Sequence, residues 1–351
     1  MIKSNFTGLP GILLEDILKQ PTCKIVSTMS EKAAVKIYHG FGHTHSMHVF
    51  GHVFKKAVRP GKQNASFFTN IYGLIKLFFV EPVPHIDVSL LSQQQRINGK
   101  TEDDGFFKFE WDSDKHISAG WHSVQVAAMD KKGNTVASAE GEVFIPHITQ
   151  YGFISDIDDT ILVSHSATMR KRLKELFVKS PEKRELFEGV AEHYRLLAAA
   201  HTASSTPNPF FYVSSSEWNL YDYLHVIFLS HRMPEGIFLL NQVKRWFELF
   251  KTGKTKHEGK LLRILRILKA FPNQQFILLG DNSQQDPEIY KTLIDKYPDH
   301  FHAVYIRNVN PKKEKTTISV LDKIREIGKQ TCFFETSKEA IEHSRQIGLI
   351  E

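Results

Sequence analysis

Three carboxylates fall within four positions of the sequence, at Asp156, Asp158 and Asp159, directly after an apolar run. Residues 152–154 and Ile157 predict a short buried strand that ends in these acids. Like charges at one strand end repel each other unless a cation lies among them. Mg²⁺ fits this position, because it binds carboxylate oxygens and leaves coordination sites for a phosphate oxygen of a substrate. The alternative is an acidic turn that follows a strand.

Serines follow a second predicted strand, at residues 210–213. The hydroxyl and N–H groups of Ser214 and Ser215 suit a phosphoryl oxygen. Serine after a strand is also common in turns, so this segment by itself does not establish a phosphate site.

A third predicted strand, at residues 276–279, leads into Gly280 and Asp281, and Asp286 follows five positions later. Glycine allows a close approach of neighbouring groups. We expect Asp281 and Asp286 to complete a cation site with Asp156. Because Pro and Glu follow Asp286, this residue is alternatively a helix N-cap.

One lysine stands out among the cations of a predicted helix. Lys260 opens the helix, where a cation opposes the macrodipole and is unfavourable unless an anion is near. Arg263, Arg266 and Lys269 follow at every third position and are expected to form a solvated face. Lys260 is therefore the candidate cation for a phosphate group.

The chain divides into segments of different pattern. Residues 1–34 predict an N-terminal segment with a short helix, which we expect to dock on the neighbouring domain and not in lipid. Residues 35–148 contain short strands between turn signals and predict an all-β domain, an antiparallel β-sandwich. Its strands are predicted at residues 35–38, 48–54, 77–80, 85–90, 106–111, 122–126 and 141–145.

Residues 149–351 alternate strand and helix, which predicts an α/β domain with a parallel sheet flanked by helices. In this architecture chemistry collects beyond the carboxyl ends of the strands. Further strands are predicted at residues 236–240 and 302–306, and helices at 170–177, 186–200, 220–229, 261–271, 286–297, 318–327 and 338–347.

Five histidines fall within fourteen positions, so a metal site has to be considered. No carboxylate or cysteine accompanies them locally, and we favour a hairpin loop with a turn at residues 40–42 over a zinc site. The histidines are His39, His43, His45, His48 and His52.

Composition places the chain among globular proteins, with 351 residues, 41% hydrophobic and 24% charged. This length suits two domains. Two cysteines, Cys23 and Cys332, are too few for a disulfide framework. The start lacks a basic segment before an apolar run, and no window reaches the length of a membrane span. We expect a cytoplasmic protein without a transmembrane segment.

Positive charge is concentrated between residues 244 and 269. Nine Lys or Arg against two Glu give this segment +7, whereas the whole chain carries +6. The location favours an anionic substrate or an anionic membrane surface. Nucleic acid is the weaker alternative, because few aromatic residues interleave and no binding motif is present. The nine cations are Lys244, Arg245, Lys251, Lys254, Lys256, Lys260, Arg263, Arg266 and Lys269.

Taken together, these motifs resemble the haloacid dehalogenase (HAD) superfamily, and within it the actin-patch-protein type of Mg²⁺-dependent phosphatidate phosphatase. The likeness rests on S-D-I-D-D-T-I at 155–161, Y-V-S-S-S-E-W-N-L-Y at 212–221, G-K-L-L-R-I-L at 259–265, F-P at 271–272 and G-D-N-S-Q-Q-D-P-E-I-Y at 280–290. K-I-Y-H-G-F-G at 36–42 and D-G-F-F at 104–107 extend it weakly into the β domain.

Two positions depart from the family pattern. The family favours Pro at the position of Glu217, which bears on substrate fit, and His at that of Gly259. The second departure leaves the motif lysine between Lys260, which is favoured, and Lys256.

The resemblance implies a fold with a HAD-like parallel sheet and a role for each residue. Asp156 would be the nucleophile that forms an aspartyl-phosphate. Asp158 would protonate the leaving oxygen and later activate water. Ser214, with Ser215, would hydrogen-bond the phosphoryl group, and Lys260 would offset its charge.

The resemblance also implies the ligands of the ion. Asp156, the backbone carbonyl of Asp158 and Asp281 would hold Mg²⁺, with Asp286 in its first or second shell. Asp159 has no assigned role beyond the turn.

The leading hypothesis is a phosphomonoester hydrolase that converts phosphatidate to diacylglycerol and phosphate, in the cytoplasm and peripheral to a membrane. One alternative is a phosphatase for a soluble metabolite or phosphoprotein, with residues 164–183 as a lid. Another is a non-enzymatic adaptor whose β domain binds a partner while the other domain keeps a relic site. The intact set of acids, serine and lysine argues against the adaptor.

Overall fold

The computed structural model of the chain describes residues 33–43, 45–55, 81–147, 151–162, 185–203, 206–241 and 255–351. Several predicted features lie outside these residues. They are the N-terminal helix, the strand at 77–80, the helix at 170–177, the lid at 164–183 and the side chains of five of the nine clustered cations.

The first sheet contains eight strands within the described residues. Its order is β1-β3-β2-β8-β7-β4-β5, with β6 paired to β3. All pairs are antiparallel except β2 with β8. The strands are β1 (Ala34–Ile37), β2 (Gly40–Gly42), β3 (Ser46–Phe54), β4 (Asp87–Ser92), β5 (Gln95–Lys100), β6 (Phe106–Asp112), β7 (Gly120–Met129) and β8 (Thr135–Ile145).

The predicted turn at residues 40–42 is wrong, since these residues form strand β2. The strand pairs antiparallel with β3 and parallel with β8. Glycine usually weakens a strand, but it also marks places where another backbone comes close. A Cβ at Gly40 would lie 2.4 Å from the carbonyl oxygen of His48. Two glycines in three residues therefore allow β2 to fit between its neighbours.

The first sheet buries apolar side chains on two sides. Val49, Val53 and Val126 belong to the core of this sheet. Phe41 and Phe50, in contrast, pack with side chains of the second sheet. Two buried faces explain why seven successive residues of β3 are buried, where a half-exposed strand would alternate.

The second sheet has six parallel strands in the described part of the chain, in the order β11-β10-β9-β12-β13-β14. Its strands are β9 (Gly152–Ser155), β10 (Phe210–Glu217), β11 (Gly236–Asn241), β12 (Phe276–Asp281), β13 (Phe301–Arg307) and β14 (Gln330–Phe334). Its helices are α1 (Val190–Ala199), α2 (Tyr221–Ser230), α3 (Thr255–Ala270), α4 (Asp286–Lys296), α5 (Glu314–Glu326) and α6 (Ser337–Gln346).

Strand β9 lies at the centre of the second sheet, and the chain passes to β10 on one side and to β12 on the other. Such a reversal of strand order opens a crevice beyond the carboxyl ends of the central strands. Asp156 follows β9 directly, so the first acidic motif stands at this crevice.

The protein thus combines a mainly antiparallel sheet with a parallel sheet flanked by helices, as the mixed pattern predicted. Strands β5 and β14 were not predicted, because Q-R-I-N-G-K and Q-T-C-F-F carry weak strand signals. The sandwich layering, the HAD-type fold and the domain boundaries stay predictions. No helix within the described residues is long and apolar enough to span a bilayer.

Candidate active site

Three buried carboxylates converge at the carboxyl edge of the second sheet. One oxygen each from Asp156, Asp281 and Asp286 can be chosen so that all lie within 4.8 Å of one another. Strands β9 and β12 are parallel neighbours with Ser155 opposite Leu279, which places the residues that follow at the same edge. The sequence predicted this convergence of strand ends.

Asp286 reaches the cluster from the start of α4 and not as a helix cap. The N-cap of α4 is Gln285, without a side-chain capping bond. The Oδ2 of Asp286 accepts from the backbone N–H of Asp281 at 3.4 Å. A Cβ at Gly280 would lie 2.6 Å from that Oδ2, so glycine makes room for the carboxylate.

Lys260 bridges two of the three carboxylates. Its Nζ donates to Oδ1 of Asp156 at 2.8 Å and to Oδ1 of Asp286. Burial alone would lower the pKa of Lys260, but Asp156 and Asp286 outweigh it and raise the pKa. Lys260 is therefore a permanent cation within the cluster. Its choice over Lys256 as the motif lysine stays a prediction, because the side chain of Lys256 lies outside the described residues.

One ammonium does not balance three carboxylates. Asp156 is 1% exposed, and its Oδ2 is buried without a hydrogen-bond partner among the described residues. Burial raises the pKa of Asp156 well above its ordinary value, and Asp286 and Asp281 add to the effect against the opposing charge of Lys260. Burial and Asp286 likewise raise the pKa of Asp281.

The donor set therefore fits a hard divalent cation. All three groups are carboxylates, the ligand type that Mg²⁺ prefers, and one buried oxygen lacks a partner. A cation among these oxygens would remove the repulsion that now favours protonated carboxyl groups.

Asp158 is directed towards the serines that follow β10. Its Oδ2 accepts from Oγ of Ser214 at 3.1 Å and from Oγ of Ser216 at 3.2 Å. The backbone N–H of Ser216 in turn donates to Oγ of Ser214 at 2.9 Å. The Oγ of Ser215 lies 3.5 Å from Oε1 of Gln284, a long contact. The side chain of Asp158 does not join the three-carboxylate cluster. The predicted link between Asp158 and the ion would therefore run through the backbone carbonyl of Asp158.

Two hydroxyl groups join the acidic turn to the end of β12. Oγ1 of Thr160 donates to Oδ2 of Asp281 at 3.0 Å, and Oγ of Ser283 donates to Oδ2 of Asp159 at 3.2 Å. Asp159 adopts a φ of 62°, a left-handed conformation that Asp tolerates better than most residues. Asp159 thus lies in the turn after β9, where the sequence assigned it no role beyond the turn itself.

Arg263 was predicted to be solvated, and this is wrong. It is 8% exposed, and its Nη2 donates to the backbone carbonyl of Ser214 at 3.1 Å, with Nη1 3.4 Å from Oδ1 of Asn241. Positions three apart on a helix lie on neighbouring turns of one side. The spacing from Lys260 to Arg263 thus indicated that the two cations share a side of the helix, but not that this side is buried.

The next two cations of α3 behave differently. Arg266 is half-buried, with Nε 3.5 Å from Oε1 of Glu110 and its guanidinium 5.5 Å from the ring centre of Phe50. Both partners belong to the first sheet. The prediction that Arg266 lies on a solvated face is therefore also wrong. Lys269 is exposed as predicted.

The histidines of the first sheet lie apart from the site. Burial lowers the pKa of His39 and His48 to about 4 and that of His52 to about 3. The Nδ1 of His52 lies 3.0 Å from the hydroxyl of Tyr38. Within the described residues, Asp156, Asp281 and Asp286 are the only set of three or more His, Cys, Asp or Glu side chains close enough to share an ion.

One protein-family model matches the part of the chain that holds this site. Residues 151–308 match the family model described as "Phosphatidate phosphatase APP1, catalytic domain". This range contains all of the candidate site residues. The part of the chain that holds the candidate site is thus similar to a phosphatase catalytic domain.

Two curated proteins are similar to part of the chain. Phosphatidate phosphatase APP1 of Saccharomyces cerevisiae is 32% identical over 157 residues, which cover 44% of this chain and 25% of that protein. An uncharacterised protein of Schizosaccharomyces pombe is 25% identical over 158 residues, with the same two shares. The similar region is thus about a quarter of the length of either relative.

Solved structures resemble the chain only faintly. A carbohydrate acetylesterase from Xanthomonas citri is 10% identical, with a TM-score of 0.25, over 82% of this chain and 72% of that one. A TM-score this low indicates neither a shared fold nor a shared function.

Proposed function

We propose that the chain is a Mg²⁺-dependent phosphomonoester hydrolase of the HAD type that converts phosphatidate to diacylglycerol and phosphate. The observation that carries this proposal is the buried cluster of Asp156, Asp281 and Asp286 with Lys260 in its midst. Such an excess of negative charge is costly in a fold, and a divalent cation bound among the carboxylates would offset it.

The ion would be held by Asp156, Asp281 and the backbone carbonyl of Asp158, with Asp286 beside it. Bound Mg²⁺ would supply positive charge that favours the ionised carboxylates and offsets charge on the phosphoryl oxygens. These residues offer the oxygen ligands that such an ion requires.

Asp156 would act as the nucleophile through Oδ2. Lys260 holds Oδ1 at 2.8 Å, whereas Oδ2 is the oxygen without a partner among the described residues. Oδ2 would form a bond to phosphorus as the bond from phosphorus to the alcohol oxygen breaks, which leaves an aspartyl-phosphate. Water would then attack phosphorus, releasing phosphate and restoring Asp156.

Asp158 would move the protons in both steps. It would protonate the departing alcohol oxygen and then accept a proton from the attacking water. Ser214 and Ser216 both donate to its Oδ2 and thereby fix the orientation of the carboxyl group. Oδ1 is then the oxygen through which the proton would pass.

Ser214, Ser215 and Lys260 would bind the phosphoryl oxygens. Ser214 is fully buried beside Asp158, and Lys260 contacts the nucleophile itself. Positive charge and fixed hydrogen-bond donors at this position would stabilise the charge that spreads over the phosphoryl oxygens in the transition state.

Phosphatidate as the substrate is supported by the similarity to the family model and by the predicted basic cluster between residues 244 and 269. A lipid substrate requires contact with a membrane surface, so a cytoplasmic and peripheral location goes with it. Anionic lipid attracts such a cluster by about 1 kcal/mol per basic residue near the surface.

The test compares phosphate release from phosphatidate in mixed micelles with release from a panel of soluble phosphomonoesters, with and without Mg²⁺. We expect Mg²⁺-dependent turnover with preference for phosphatidate. Preference for the soluble compounds would remove the lipid substrate and leave the chemistry standing. Absence of turnover on every substrate would favour an adaptor with a relic site.

A further inference from the structure

Trp218 connects the catalytic edge of the second sheet to the first sheet. It lies four residues after Ser214, in the short 3₁₀ turn Trp218–Leu220, and is 3% exposed. Its ring stacks on that of Tyr38, with centres 4.2 Å apart and planes at 20°. The rings of Phe50 and Phe106 lie 6.2 Å away in stacked orientations. The segment that carries the serines is thus followed by a tryptophan that packs among aromatic rings of the first sheet.

Tyr38 is itself held in place. Its backbone N–H donates to the carbonyl of Phe50 at 2.9 Å, and its hydroxyl lies 3.0 Å from Nδ1 of the buried His52. Lys36 lies 5.6 Å from the Tyr38 ring centre and contacts Asp222 of α2 at 2.5 Å. Rigid packing of this kind fixes the position of any ring stacked on it.

The first sheet also contacts the helix that supplies Lys260. Arg266 of α3 reaches Glu110 of β6 and the ring of Phe50. On the same helix, Arg263 donates to the carbonyl of Ser214. Both elements with candidate phosphate-binding groups therefore rest on the first sheet.

The carboxylate cluster is held differently. Within the described residues, the hydrogen bonds to Asp156, Asp281 and Asp286 come from Lys260, Thr160 and the β12–α4 segment. None of these donors belongs to the first sheet. The Ser214–Ser216 segment therefore reaches the first sheet through Trp218, whereas in the described part of the chain the carboxylates are linked to that sheet only through the helix of Lys260.

We infer that the first sheet is a working part of the catalytic unit, in which the Tyr38–Trp218 stack positions the Ser214–Ser216 segment for the phosphoryl group. Tyr38 and Trp218 are positioning residues, because they act through the serines. Affinity for phosphate then depends on the stack, whereas affinity for the divalent ion does not. This inference rests on the proposed function, and it means that residues 151–308 alone make an incomplete enzyme.

The experiment uses the full chain and the substitutions Tyr38→Leu and Tyr38→Phe. Three quantities are measured: inorganic phosphate affinity with Mg²⁺ by calorimetry, Mn²⁺ affinity by electron paramagnetic resonance, and kcat and KM for hydrolysis. Tyr38→Leu removes the stack and should weaken phosphate binding and raise KM by about tenfold or more, since small misplacements at a site are costly. Mn²⁺ affinity should stay within about twofold. Tyr38→Phe keeps the ring and should restore phosphate affinity and KM.

Val126→Ala is the matched control for a general loss of stability. Val126 is fully buried in the core of the first sheet and does not belong to the cluster that joins the two sheets. It should lower the Tm while leaving phosphate affinity and KM unchanged. Equal losses of phosphate affinity in Val126→Ala and Tyr38→Leu, or none in Tyr38→Leu, would overturn the inference.

The two proposals fail in distinguishable ways. If the unaltered chain binds phosphate and Mn²⁺ without hydrolysing any substrate, the proposed function fails, and the two binding measurements still decide the role of the stack. If the unaltered chain does not bind phosphate with Mg²⁺ present, the positioning role is overturned as well.

Discussion

The Nη2 of Arg263 lies 3.1 Å from the backbone carbonyl of Ser214 and donates a hydrogen bond to it. This contact ties the helix that carries Lys260 to the strand end that carries the serines. Burial lowers the pKa of Arg263 to about 10, so the guanidinium stays charged at neutral pH. One buried side chain thus holds two groups that would bind the phosphoryl oxygens.

Arg263→Lys is expected to lower kcat/KM by about 10- to 100-fold. Lysine keeps the charge but lacks the planar set of N–H groups that reaches Ser214 and Asn241 together. Lys269→Met, at an exposed position of the same helix, should leave kcat/KM within about twofold. Steady-state kinetics on both variants would reject this role for Arg263 if they proved equally active.

Asp156→Asn should abolish phosphate release, with a loss of at least about 10³-fold, because an amide oxygen is a poor nucleophile. Circular dichroism should show a retained fold. Asp159→Asn is the control in the same turn, since Asn also tolerates the φ of 62° found there. Asp159→Asn should keep most of its activity. Undiminished turnover in Asp156→Asn would contradict the assignment of Asp156 as the nucleophile.

Addition of Mg²⁺ should raise the Tm more at pH 7.5 than at pH 5.5. The raised pKa values of Asp156 and Asp281 mean that the ion-free fold takes up protons, so it loses stability as the pH rises above about 4. The ion binds the deprotonated carboxylates, so its stabilising effect grows over the same range.

The control for this ion effect is Asp281→Asn, which removes one of the crowded charges. It should raise the Tm of the ion-free protein by about 3 °C and reduce the shift caused by Mg²⁺. Differential scanning fluorimetry measures both quantities. An Mg²⁺ shift that does not depend on pH or on Asp281 would place the ion elsewhere.

Gly280→Ala should impair the site without any change of charge. The added Cβ would lie 2.6 Å from Oδ2 and 2.9 Å from Cβ of Asp286, so the carboxylate must move. We expect a loss of kcat/KM of about 100-fold and weaker Mg²⁺ binding. Gly259→Ala is the paired control, because its Cβ would meet Nη1 of Arg263 at 3.4 Å, an ordinary contact. Alanine also favours the helix by about 1 kcal/mol, so this variant should be active and slightly more stable.

His52 should make the fold sensitive to acid. Its pKa is lowered to about 3 by burial, so the folded protein holds it neutral while the unfolded chain protonates it near pH 6.5. This contribution is present above pH 6.5 and is lost as the pH falls towards 3, by about 2 kcal/mol between pH 7 and pH 5. His52→Gln removes the titrating group, so its urea midpoint should change less between these two pH values. Equal changes of the urea midpoint in the unaltered protein and in His52→Gln would contradict the predicted role of His52 in acid sensitivity.

Much of the parallel sheet and the main acidic residues could be predicted because their signals are local. Apolar runs that end in Asp156, Ser214 and Asp281 mark buried strands, and parallel strands bring their carboxyl ends to one edge. Asp286 was predicted to join the cation site, but its neighbours Pro287 and Glu288 left a helix cap as the alternative. Its contact with Lys260 settles where the carboxylate lies.

The sequence by itself determined the alternation of strands and helices in the second sheet, apart from β14, and the types of residue at its edge. Those features depend on short-range periodicity and on general rules for parallel sheets. Only the tertiary structure decided that Arg263 is buried, that residues 40–42 are a strand and that Tyr38 stacks on Trp218. Those features join positions up to 180 residues apart. A charged residue, a glycine pair or an aromatic ring has no preferred partner in the local sequence, so packing between the two sheets determines where each one lies.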